Sequence, residues 1–252
     1  MDTRIQSYLR GAASRVRDTE RIGPFLATFS PNSTNPYLNY AIPDSDADPS
    51  AAEVAALIAA YQRRERTPRL EYITGLAPAV EAALVAGGFS VEGRLPLMIY
   101  PPAAVHDLPI PPGIELRSPT TDADHLALIS AQNEAYTGDP AVGPKELEGR
   151  KANLAAGGLA ILARDTATSE VVGGGQCDVP ANGISELTSV GVRPPYRRRG
   201  IAAAVTARLV HDAFAAGTTT VFLMAAHEAE ERIYARAGFS TIADILHISL
   251  TR

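Results

Sequence analysis

Six prolines, Pro96, Pro101, Pro102, Pro109, Pro111 and Pro112, fall within seventeen residues near the middle of the 252-residue chain. A proline ring fixes φ and removes a backbone donor, so this stretch cannot form a helix and favours extended backbone. It predicts two lobes, residues 1–105 and 113–252, joined by a linker at 106–112. A length of 252 residues suits two small domains.

Hydrophobic residues make up 46 % of the chain, which excludes disorder as the whole answer. Trp is absent and aromatics are 6 %, so the core must be built from Ala, Leu, Val and Ile. The net charge of −5 argues against a nucleic-acid coat. A lone cysteine, Cys177, excludes an internal disulfide and a multi-cysteine zinc site. No apolar run approaches the roughly 20 residues of a membrane span. No apolar segment follows Met1-Asp2-Thr3-Arg4 as a signal peptide would require. A soluble cytoplasmic protein without metal, membrane or nucleic-acid partner is therefore expected.

The second half alternates in type. The patterns predict a strand at 113–117, helices at 122–136 and 145–155, and a hairpin of 159–164 with 171–177. A strand at 187–192, a helix at 201–216, a strand at 220–225, a helix at 228–237 and an extended segment at 239–250 follow. Strands with crossover helices imply an α/β fold with a mixed or parallel sheet. The first half overlays the second at a constant offset of 150. Helix 51–63 falls on 201–213, strand 70–74 on 220–224, and Gly88-Phe89-Ser90 on Gly238-Phe239-Ser240. The shared element order predicts a diverged tandem duplication.

One segment carries most of the chemistry: Val190-Gly191-Val192-Arg193-Pro194-Pro195-Tyr196-Arg197-Arg198-Arg199-Gly200-Ile201-Ala202. A strand ends, an arginine-rich turn follows, and a helix begins at a glycine followed by small residues. A helix start offers unpaired N–H groups and partial positive charge, and glycine lets an oxygen approach the backbone. The segment therefore reads as a pyrophosphate cradle. It is not a P-loop, since no Lys-Ser/Thr follows the glycine, and it lacks two glycines of the dinucleotide fingerprint. A basic surface turn before a helix is the alternative.

Arg197-x-x-Gly200-x-Ala202 behind Val190-x-Val192 resembles the acyl-CoA signature of the GNAT (GCN5-related) N-acetyltransferase superfamily. The resemblance extends to Tyr234-x-x-x-Gly238-Phe239 and covers about 113–252. It implies a GNAT fold and acetyl-CoA, or another acyl-CoA, as co-substrate, with direct transfer to a primary amine of a small-molecule or peptide acceptor. The backbone at Val190 and Val192 would meet the pantetheine arm. The loop from Arg197 through Arg198, Arg199, Gly200 and Ile201 to Ala202 would hold the pyrophosphate. The strands at 187–192 and 220–225 would splay to admit the arm. Tyr234 matches the family's tyrosine, whose hydroxyl faces the sulfur and can protonate the leaving thiolate. His227 stands seven residues before it, a cofactor-side position where the family often has asparagine.

Glu186, at the mouth of the same strand, is the candidate base, with a solvated strand-end charge as the alternative. Cys177 reads as a buried structural thiol. At the offset of 150, the arginine loop falls on Ala47-Asp48-Pro49-Ser50, preceded by Asp44 and Asp46, and Tyr234 falls on Leu84. An acidic loop repels phosphates. The first lobe is thus expected to be a degenerate GNAT-like half that shields a sheet edge or shapes the acceptor groove. A non-catalytic acyl-CoA-binding sensor is the other class of function, and oligomeric state stays open between monomer and homodimer. Carboxylates for a cationic acceptor are available in the loop Tyr136-Thr137-Gly138-Asp139-Pro140 and at Asp244.

Overall fold

A computed structural model describes residues 1–101 and 108–250. Of the proline-rich stretch and linker, residues 102–107 lie outside the described residues. The chain runs α1 (Asp2–Val16), β1 (Asp18–Ile22), β2 (Phe25–Phe29), β3 (Ala41–Pro43), α2 (Ala51–Arg63), β4 (Arg69–Ile73), α3 (Pro78–Ala86) and β5 (Ser90–Tyr100). It continues with β6 (Ile114–Arg117), α4 (Asp122–Thr137), α5 (Pro144–Ala155), β7 (Leu159–Asp165), β8 (Val171–Cys177) and β9 (Ile184–Val192). It ends with α6 (Ile201–Ala215), β10 (Thr220–Met224), α7 (Glu228–Arg236) and β11 (Ser240–Ser249).

The chain forms two compact units that do not follow a single cut. The first holds Met1–Leu97, Met224–His227 and the chain from Thr241 onward; the second holds Met98–Leu223 and Glu228–Ser240. The last strand, which the sequence groups with 113–252, thus lies in the first unit. The cause is its pairing: β11 runs antiparallel to β4, from Ile245 opposite Ile73 to Ser249 opposite Arg69. Ile245, Leu246 and Ile248 are fully buried there.

In the first unit the strand order is β1-β2-β3-β4-β11-β5; the pairs β1–β2, β2–β3 and β4–β11 are antiparallel and β3–β4 is parallel. Helix α2 begins at Ser50, whose hydroxyl accepts from the N–H of Glu53 while the Glu53 carboxylate accepts from the Ser50 N–H. This capping box satisfies two of the donors that a helix start leaves open.

In the second unit the order is β10-β9-β8-β7-β6, antiparallel except between β9 and β10. Helices α4 and α6 both pack on β8 and β9. Two glycines of β8 allow this approach. A Cβ on Gly174 would lie 2.3 Å from Leu128 Cδ1 of α4, and one on Gly175 would lie 3.0 Å from Leu209 Cδ1 of α6. Helix α4 is started by a Thr121–Asp124 capping box and stopped by Gly138 in the left-handed region. Asp124 also accepts from Arg117 at 2.9 Å and from Arg164 at 3.0 Å, tying α4 to β6 and β7.

The interval of 150 recurs in the fold. Helices α2 and α6 begin 150 residues apart, α3 and α7 share both ends at that interval, and so do the starts of β5 and β11. Only β4 and β10 are displaced, by one residue. Among the described residues, no helix is long and apolar enough to cross a membrane, and no group of three or more His, Cys, Asp or Glu could hold a metal.

Candidate active site

The second unit opens between β9 and β10. Their parallel pairing covers only Ile184–Thr220, Ser185–Val221 and Glu186–Phe222, while β9 runs on to Val192. Beyond Glu186 this edge of β9 is left without β10 as partner, which is the splay expected from the sequence. Glu186 stands at the last paired position, half-buried, with its carbonyl accepting from the Asp178 N–H at 2.8 Å.

On its other edge β9 is bulged. Gly174 pairs with Gly191 and Gln176 with Thr188, so Ser189 and Val190 together oppose Gly175. Ser189 has a φ of 55°, the left-handed value that turns the chain there. Two side chains of α4 take the carbonyls this exposes. Gln132 Nε2 donates to Ser189 O at 2.6 Å, and the Tyr136 hydroxyl donates to Val190 O at 3.0 Å. Their spacing of four residues places both on one face of the helix.

The same turn of α4 fixes the arginine loop. Glu134 pairs with Arg193, which also donates to Val171 O at 3.0 Å. Arg197 donates from Nε to Val192 O at 3.1 Å and from Nη2 to Ala135 O at 2.8 Å. The guanidinium of Arg197 is therefore turned onto backbone carbonyls. Arg198 and Arg199 are exposed, and Arg199 lies over the Tyr196 ring at 5.2 Å.

Where the loop meets α6, Arg198 and Gly200 both adopt positive φ, 62° and 81°. Gly200 is the N-cap of α6 and supplies no side-chain cap. The Arg197 N–H bonds back to Pro194 O, and the Ala204 N–H to Gly200 O. Among the described residues, no such bond engages the N–H groups of residues 198–203 that lie between them. They form a row of donors at the positive end of the helix. Ile201 is buried, so only its amide belongs to this row, while Ala202 is half-buried.

Tyr234 lies on α7, half-buried, its ring edge-on to Phe239 at 5.9 Å. Burial raises its hydroxyl above the ordinary phenol value, helped by Tyr136 and by the Glu230 carboxylate. Tyr136 is pushed up to about 12, by desolvation of its inward-turned hydroxyl and then by Glu230. The Tyr136 residue as a whole remains 60 % exposed. Both phenols thus hold their protons at neutral pH.

The structure brings Glu186, Val190, Val192, residues 197–202 and Tyr234 into one unit. His227 falls in the short segment Met224–His227 of the other unit and is exposed. Cys177 is buried, with its thiol pushed up to about 12 by desolvation, so it is no nucleophile. The sequence places Gln132, Ala135 and Tyr136 on the predicted helix 122–136 without marking any of them as part of the site. The helical spacing of Gln132 and Tyr136 was visible, but nothing in it names the carbonyls they meet. An open groove of about 360 Å³ along α6, lined by Leu108, Ile110, Ala207 and His211 among others, receives no residue of β9, β10 or α7.

The GNAT acetyltransferase family model matches residues 126–239. A GCN5-related N-acetyltransferase from Kribbella flavida is similar in structure, with a TM-score of 0.82 and 23 % identity over 99 % of this chain and 95 % of that one. One from Sphaerobacter thermophilus gives 0.69 and 19 %, covering 91 % of this chain and 78 % of that one. A tandem GNAT protein from the clavulanic acid biosynthesis pathway gives 0.65 and 12 %, covering 90 % and 79 %. No curated protein sequence matches the chain. The matched segment runs from within α4 through α7, the bulged strand and the arginine loop included, so residues 126–239 carry a match to the GNAT acetyltransferase family and the chain shares the fold of its members.

Proposed function

We propose that the second unit binds acetyl-CoA, or another acyl-CoA, and transfers the acyl group directly to a primary amine of a small-molecule or peptide acceptor. The observation that carries this reading is the row of unengaged N–H groups at residues 198–203, set at the end of an open strand edge. Such a row suits a pyrophosphate, and an open edge suits an extended amide-bearing arm, which adds to it as a strand would. The backbone at Val190 and Val192 meets the arm. Arg198 and Arg199 supply charge from the exposed side of the loop, and Arg197 holds the loop in shape through the carbonyls of Val192 and Ala135. His227 is assigned to the cofactor side by position alone.

In the reaction the amine lone pair attacks the thioester carbonyl. Glu186 takes the amine proton directly or through water. The carbon–sulfur bond breaks, and Tyr234 donates toward the departing sulfur. Burial keeps the Tyr234 proton in place until negative charge develops on sulfur.

The first unit is proposed as a diverged copy of the same fold that has lost its site. In the turn that precedes the counterpart of the arginine loop it has Asp44, bound by Arg10 and Arg21, and the N–H of Ser50 at the start of α2 is taken by the Glu53 carboxylate. Of the donors that α6 leaves open, the one at Gly200 has its counterpart at Ser50, whose N–H is taken in α2 by the Glu53 carboxylate.

Free CoA released from acetyl-CoA in the presence of a panel of amines tests this reading. Acceptor-dependent release is expected. Binding of acetyl-CoA without release on any amine would make the protein a sensor instead, and absence of binding would refute the site.

A further inference from the structure

We propose that Arg150 and Gln132 form a buried relay that sets the peptide plane between Ser189 and Val190, so that both are positioning residues for the acyl-pantetheine arm. The inference rests on the assignment above that Val190 meets that arm.

Arg150, on α5, is 8 % exposed and Gln132, on α4, is 4 % exposed. Arg150 Nη2 donates to Gln132 Oε1 at 2.6 Å, and Gln132 Nε2 donates to Ser189 O at 2.6 Å. A guanidinium only donates and a backbone carbonyl only accepts. Between them the glutamine amide has one permitted orientation, oxygen toward Arg150 and nitrogen toward Ser189. The arginine thereby removes the amide flip that a glutamine otherwise keeps.

The held carbonyl fixes what lies across the same peptide bond. Among the described residues all peptide bonds are trans, so C=O and N–H of one unit point in opposite directions. With Ser189 O drawn to α4, the Val190 N–H is aimed away from α4. In a regular strand successive carbonyls alternate between edges. Here two in succession, Ser189 and Val190, reach one helix, because Ser189 is left-handed and Gln132 and Tyr136 wait on one helical face. The relay thus fixes the direction of a strand donor.

Arg150 is an expensive way to hold a helix in place. Its Nη1 is buried with no hydrogen-bond partner. Burial draws its pKa down to about 10, opposed by the more distant Asp178. Removing an unpaired buried charge commonly costs a fold nothing. Orientation of Gln132 is a task that an apolar residue of the same size cannot perform.

Two variants separate positioning from packing. In Gln132→Glu the carboxylate keeps the acceptor for Arg150 and gives it an ion pair, but loses the donor and sets oxygen against Ser189 O. In Arg150→Met the side-chain bulk stays and the orienting donor goes. Calorimetry with acetyl-CoA and with adenosine 3′,5′-bisphosphate, which has phosphates and no pantetheine, reads the outcome beside thermal melts. Both variants are expected to fold, with a small drop in melting temperature from the buried hydrogen bond each removes. Acetyl-CoA should bind about tenfold more weakly, as for one lost hydrogen bond, with the bisphosphate unaffected. Wild-type acetyl-CoA affinity in a folded variant overturns the relay. So does a loss shared by both ligands that tracks a drop in melting temperature. If Gln132→Glu does not fold, Arg150→Met decides alone. A wild-type protein that binds no acetyl-CoA overturns the functional reading and this inference with it.

Discussion

Replacing Gly200 by valine asks whether the arginine loop depends on one backbone conformation. Gly200 sits at φ 81° as the N-cap of α6. A Cβ built there meets nothing closer than Pro111 Cγ at 3.7 Å, an ordinary contact. The substitution therefore produces no clash, and its whole effect is conformational. A left-handed non-glycine residue costs about 1–2 kcal/mol, and a β-branched one belongs at the upper end. The loop relieves that cost by leaving the left-handed region, which turns the amides of residues 198–203 out of register. At about 2 kcal/mol only about 3 % of molecules keep the binding geometry, and apparent affinity falls by that fraction, about 30-fold. Acetyl-CoA titrated calorimetrically into wild type and Gly200→Val measures this directly. Gly200→Asn is the control, since asparagine tolerates the left-handed region, and it should stay within about threefold of wild type. Wild-type affinity in the valine variant would refute the cradle. An asparagine variant as weak as the valine variant would refute the conformational cause.

Three further outcomes are expected. Tyr234→Phe keeps the ring against Phe239 and removes the proton, so turnover should fall by roughly 10²-fold with acetyl-CoA affinity little changed; steady-state kinetics at the wild-type rate would leave Tyr234 a packing residue. Saturation with CoA should count one molecule per chain, because the Glu53 carboxylate closes the start of α2, and a stoichiometry of two would restore a site to the first unit. Asp124→Asn should lower stability by about 2–4 kcal/mol at neutral pH, the range for a largely buried carboxylate that two arginines share. The hydrogen bond from Arg117 holds the folded pKa of Asp124 below its unfolded value, so this stability is complete above the unfolded pKa and is lost as pH falls through the folded one. Urea melts of variant and wild type should therefore converge in acid, and a difference that persists unchanged below pH 2 would assign the loss to packing.

The elements were largely legible because their signals are local. Ser50 with Glu53 and Thr121 with Asp124 announce helix starts, and Gly138 and Gly217 announce stops. Helix α2 runs over the expected residues, and the other predicted elements differ by a few residues at an end. The strand-turn-helix at 190–202 was legible because a glycine cap followed by small residues is itself a local pattern. What depends on distant partners was not. The direction of Arg197 is set by the carbonyls of Val192 and Ala135, the second of them 62 positions away. The bulge at Ser189 leaves no mark in the sequence, since serine is no signal for positive φ. The run Gly173-Gly174-Gly175 did carry a signal, of close backbone approach, but only the packed α4 and α6 show what approaches.

The pairing of β11 with β4 bears on what a piece of this chain can be. Strand β11, far from β4 and β5 in the sequence, is an interior member of their sheet and lies between them. The first 105 residues made alone would leave a bare ladder on β4 where the five partners from Ile245 to Ser249 belong. Residues 113–252 made alone would carry an apolar strand with no β4 to receive it. Each fragment presents an unpaired edge of the kind that recruits other chains, and mixing the two offers each its missing complement. The proline-rich crossing that looks like a seam in the sequence is therefore no place to divide the protein, because β11, which lies beyond it, completes the sheet of the first unit.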